Sequence, residues 1–145
     1  MPESTATKLD EEAFQRIMAP SGVAPRTKRP FTVPSQMTTH HWLNFIKVYG
    51  KYLLQQVYDG EPLRVLCELL DFVKRCIRSE LVAGATDVLV KRAERFAKDF
   101  DQYFPACEQS IVLHCLLFHI PSTLDYWGPA RGYWCFPYER YARTC

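Results

Sequence analysis

Apolar side chains recur at steps of three and four along three successive stretches of this 145-residue chain, and only a few residues join one stretch to the next. Trp42, Phe45, Ile46, Tyr49, Leu53 and Val57 mark one face of a helix over 39–58. Leu63, Leu66, Leu70, Val73 and Ile77 mark a second, and Val88, Leu89, Ala93, Phe96, Ala97, Phe100 and Phe104 a third. The stops and starts agree with this reading. Thr38 or Thr39 can cap the first helix, Asp59-Gly60-Glu61-Pro62 ends one helix and opens the next, and Gly84 with Thr86 does so again. Pro105 closes the third helix. Stripes joined this tightly can be buried only against each other, as antiparallel neighbours with Trp42, Phe45, Leu66, Leu70, Phe96 and Phe100 in one core.

A fourth segment, about 108–119, is apolar on most of its circumference, which places it inside the bundle, and Pro121 is expected to end it. Beyond it aromatic residues, glycine and proline crowd together from Tyr126 in a pattern with neither helical nor strand period, leading into a helix near Tyr138. No stretch alternates as a strand does. The expected fold is all-α, a bundle of about four to five helices with an irregular aromatic, Pro- and Gly-rich C-terminal loop. Two regions are expected: 1–37, a short helix over 9–18 and a basic arm broken by Pro20, Pro25, Pro30 and Pro34, and 38–145, the helical domain.

Composition narrows the function only by exclusion. An apolar fraction of 48% with 23% charged residues suits a globular domain, and a net charge of +2 leaves any nucleic-acid contact to local patches. The polar N-terminus does not read as a secretory signal, and His114 and His119 interrupt the most apolar later run, so an intracellular protein, nuclear or cytoplasmic and without a membrane segment, is expected. Six cysteines at irregular spacings, with no Cys-x-x-Cys pair, read as free thiols rather than as a disulfide framework.

The densest signal is Trp127-Gly128-Pro129-Ala130-Arg131-Gly132-Tyr133-Trp134-Cys135-Phe136-Pro137-Tyr138-Glu139-Arg140-Tyr141. It resembles the Gly-Pro, aromatic, Phe-Pro-Phe-Glu-Arg signature of the domain that follows the catalytic core in En/Spm (CACTA) type transposases. The resemblance extends to the basic arm (Arg26 to Pro34), a helix opening on Thr-x-x-x-Trp (Thr38 to Trp42) and a His-containing segment before the Gly-Pro, and so covers residues 9 to 143. These transposases are similar in turn to the vertebrate recombination-activating recombinase, an RNase H-like core interrupted by a helical insertion. There a histidine pair near the end of the insertion helps bind a structural zinc, and the last catalytic carboxylate follows. By that resemblance His114 and His119 stand for the histidine pair and Glu139 for the carboxylate.

The chemistry gives these residue types their meaning. Strand cleavage and transfer use two divalent ions roughly 3.5–4 Å apart, which several carboxylates must hold. The resemblance implies Mg²⁺, with Zn²⁺ at the histidine pair, in an intact ancestor. The isolated chain is expected to hold no cofactor and to be inactive, because Asp59, Asp71, Asp87, Asp99 and Asp101 have no strand-like context. Glu139 has a second reading, as a first-turn helix residue paired with Arg140 or Arg143. So have the histidines, as satisfied core residues: zinc needs four ligands, and a spacing of five sets two side chains about 140° apart on a straight helix. Only a helix ending between them is expected to let them converge. Arg26, Lys28 and Arg29 on the arm, with Arg131, Arg140 and Arg143 near the C-terminal signature, suit phosphate contacts or plain solvation. Trp42, Phe45 and Tyr49 suit a core before they suit base stacking. The implied partners are DNA and the remainder of a transposase or a homologous transposase chain. The alternative is a stand-alone transposon-derived helical module that binds DNA or a protein partner.

Overall fold

A computed structural model of the chain describes residues 6–8, 10–11, 30–105 and 110–133, with Arg131 described by its backbone alone. The fold is all-α, and no strand occurs among the described residues. Among the described residues four helices carry it. α1 (residues 39–54) comprises Thr39–Asn44, a π-helical turn Phe45–Tyr49, and Gly50–Leu54. α2 is Gly60–Cys76 and α3 is Ala85–Tyr103. α4 (residues 111–127) comprises Ile111–His114, a second π-helical turn Cys115–His119, and Ile120–Trp127. Short 3-10 turns occupy Pro34–Gln36 and Ala130–Gly132.

The chain forms two compact units, Met1–Leu70 and Asp71–Cys145, with the division inside α2. The residues expected in one core are accordingly distributed: Phe45 and Leu70, with Trp42 and Leu66 packed against them, belong to the cluster of the first unit, and Phe96 and Phe100 lie in the second.

In the first unit Thr38 caps α1. Its hydroxyl accepts from the His41 backbone N–H, and the His41 ring accepts from the Thr38 backbone N–H, so each end of the box satisfies a donor of the first turn. Met37, Phe45, Tyr49, Leu53, Leu54 and Leu70 form the buried cluster, and Phe31, Trp42 and Tyr49 each set a ring edge-to-face against Phe45 at 5.7–6.0 Å. These aromatics are core. Burial pushes the Tyr49 phenol up to about 12, since the charged form has no water to solvate it. Asp10 is buried as well, and its carboxylate accepts from the backbone N–H groups of Phe31 (3.1 Å) and Thr32 (2.8 Å). That pins the N-terminal helical turn to the segment that leads into α1.

The second unit packs α3 along α4. Leu89, Ala93 and Phe96 on α3 and Leu117, Pro121 and Leu124 on α4 are buried, each set at steps of four and three. Thr86 donates its hydroxyl to the Asp125 carboxylate at 2.9 Å, joining the start of α3 to the end of α4. Gly84, with φ 76°, rather than Thr86, is the residue ahead of α3. A left-handed turn admits glycine most readily, and it leaves Thr86 inside the helix and free to reach α4. α3 ends as expected, with the Phe104 N–H on the Phe100 carbonyl just before Pro105.

Two expectations for α4 are overturned. Pro121 does not end the helix, which continues to Trp127, and the segment does not sit inside a bundle: Ile111 and Val112 are 73% and 72% exposed. The π-helical turn is the reason for the first. A proline in an α-helix lacks its own donor and clashes with the carbonyl four residues back. Here the Ile120 N–H bonds the Cys115 carbonyl, five residues back, so the turn is widened immediately before the proline ring. The His119 carbonyl also accepts the hydroxyls of Ser122 (2.9 Å) and Thr123 (2.8 Å).

In α1 the matching wide turn ends at Gly50, whose N–H bonds the Phe45 carbonyl. A Cβ at Gly50 would stand 2.7 Å from the Phe45 carbonyl oxygen and 2.9 Å from its ring carbon Cε1. Helix propensity alone favours alanine over glycine by about 1 kcal/mol. Overpacking a tight contact costs typically about 1–3 kcal/mol. Gly50→Ala is therefore expected to lower the unfolding free energy in urea, whereas a stabilised variant would show that the contact does not govern this turn.

Candidate functional site

α4 brings together the two histidines that the sequence singles out. The i→i+5 bond adds one residue to the turn, so positions five apart take up the relation that positions four apart hold in an ordinary α-helix. The His114 and His119 rings lie with centroids 5.2 Å apart at an interplanar angle of 69°. No helix end is needed between them, and the expected divergence of about 140° does not arise. Both residues are exposed, which removes the reading of satisfied core histidines. Phe118 lies 5.2 Å from the His114 ring on the same turn. The Ser122 and Thr123 hydroxyls hold the His119 carbonyl, a role the sequence shows only as two hydroxyl residues following a proline.

The separation of the two rings is compatible with two ligands of one zinc ion. With Zn–N bonds of about 2.0–2.1 Å and tetrahedral angles, two imidazole centroids on one ion stand about 5 Å apart. The observed separation meets that condition. Among the described residues no third His, Cys, Asp or Glu completes a group of three, so the pair supplies at most two of the usual four ligands. Cys115, next to His114, is exposed and in no disulfide, and the buried Cys76 is likewise outside any disulfide. Burial pushes the Cys76 thiol up to about 12, which keeps it protonated and a poor metal ligand.

The remaining site residues fall elsewhere. Arg26, Lys28, Arg29, Glu139, Arg140 and Arg143 lie outside the described residues, and of Arg131 only the backbone is described. Asp71 lies on α2, Asp87, Asp99 and Asp101 lie on α3, and Asp59 lies in the link before α2, so each has the helical or turn context expected of it. Among the described residues no helix is long and apolar enough to cross a membrane. Comparison of the chain with protein-family models, with curated proteins and with solved structures finds no match.

Zn²⁺ titrated into the chain is expected to shift the ring signals of His114 and His119 together, over one concentration range. His119→Ala should then remove the response at His114. Independent responses of the two rings would show that they do not act as a pair.

Proposed function

We propose that this chain is the helical C-terminal part of a CACTA-type DNA transposase, derived from a metal-dependent strand transferase and without catalytic activity alone. The observation that carries the reading is the convergence of His114 and His119 at 5.2 Å on a helix whose sequence spacing opposes it. A proline-driven wide turn that sets two exposed imidazoles side by side is an arrangement that metal ligation uses and that core packing does not require. The C-terminal signature supplies the second support, because it puts a glutamate shortly after that pair.

In this reading His114 and His119 hold half of a structural zinc site whose other ligands lie elsewhere in an intact transposase. Glu139 contributes one carboxylate to a two-ion centre whose aspartates come from strands that this sequence does not hold. Divalent ions in such a centre activate the attacking oxygen and stabilise the leaving one. Arg26, Lys28, Arg29, Arg140 and Arg143 contact phosphates, which fixes position without reading sequence.

A second reading, a stand-alone module that binds a protein partner, draws on α4. Ile111, Val112, Tyr126 and Trp127 are between 67% and 79% exposed, more apolar surface than one short helix needs to leave in water.

DNA binding separates the two. If the arm touches phosphates, changing Arg26, Lys28 and Arg29 together to Ala should weaken binding to unrelated duplexes alike. It should also reduce the slope of log affinity against log salt by up to about 3. Unchanged affinity in the triple variant would leave the arm as solvated surface, and no DNA affinity in the parent chain favours the protein-binding module. With Mg²⁺ or Mn²⁺ the chain alone is expected neither to cut nor to join DNA, and metal-dependent cleavage that Glu139→Gln abolishes would contradict the account of a single carboxylate.

A further inference from the structure

A cleft of about 240 Å³ opens at the connection 77–84 between α2 and α3, lined by residues from Arg75 to Leu89. Its lining divides by chemistry. Leu81, Val88 and the buried Leu89, with the small side chains of Ala83 and Ala85, make an apolar floor. Arg75 and Arg78 supply two guanidinium groups, and neither has an ion-pair partner among the described residues. Glu80 is the lone acid in the lining.

We propose that this cleft binds a small monocarboxylate with an apolar body, a function separate from the transposase reading. Two guanidiniums against the single carboxylate of Glu80 leave the lining one positive charge in excess beside an apolar floor. A carboxylate satisfies the first, because guanidinium and carboxylate match as two-point hydrogen-bonding forks. An apolar body satisfies the second, displacing water from Leu81 and Val88 over the buried Leu89. Glu80 lowers the net charge of the lining to +1, by two arginines against one glutamate, which suits a single negative charge better than a phosphate dianion. The volume lies below the range of about 300–1,000 Å³ that holds drug-sized molecules, so the ligand is small.

The probe is 3-phenylpropionate, titrated into the full chain by amide chemical-shift mapping, with the neutral 3-phenylpropionamide as its charge control. Saturable shifts over 81–89 with the acid, and much weaker ones with the amide, are expected. Arg75→Gln combined with Arg78→Gln should weaken the acid roughly tenfold or more, with helicity by circular dichroism unchanged. Equal binding of acid and amide to the parent chain would overturn the proposal even if the double variant failed to fold. So would shifts confined to other residues, the absence of saturable shifts at millimolar probe, or undiminished affinity in a folded double variant.

Discussion

Pro121 takes one hydrogen-bond donor out of the middle of α4, and the second unit is built around how the backbone answers that loss. An ordinary α-helix would stop or kink there. Instead the Ile120 N–H reaches back to Cys115 and the turn widens. Because the helix continues, Leu117, Pro121 and Leu124 stay on one buried line that faces α3 together with Leu89, Ala93 and Phe96. The same widening turns His114 and His119 to one side. One local solution thus sets both the packing line and the exposed imidazole pair.

α1 reaches the same geometry from a different residue. There is no proline, and the wide turn ends where Gly50 leaves room for the carbonyl and the ring of Phe45. Phe45 is the centre of the aromatic cluster, with Phe31, Trp42 and Tyr49 around it, so the close approach is what lets the largest buried rings of that unit meet edge to face. Glycine acts here through its size and not through its conformational freedom.

Periodicity and end signals made most of the fold legible. The stripes ending at Cys76 and Tyr103, the capping role of Thr38, the start at Gly60 with Pro62 in the first turn, and the stop before Pro105 all follow from residue spacing and from proline and hydroxyl chemistry, whereas α1 stops at Leu54, short of the expected 58, in a turn over 55–57 that the stripe through Val57 conceals. Two further things did not follow. A π-helical turn leaves no period of its own in a five-residue stretch, so Pro121 read as a stop and the histidine spacing read as divergent. The run 111–120 also read as buried, because composition counts apolar residues without asking whether a neighbouring element exists to cover them. Ile111 and Val112 are exposed, and Leu117 alone of the π turn is buried. Of the candidate site, the histidines were legible by type and their convergence was not.

The account rests on the i→i+5 bond in α4, and a through-hydrogen-bond scalar coupling experiment on isotopically labelled protein reads that bond directly. A coupling between the Ile120 amide nitrogen and the Cys115 carbonyl carbon is the predicted result, accompanied by contacts between the ring protons of His114 and His119. A coupling from Ile120 to Leu116 instead, four residues back, with the two rings apart, would contradict it.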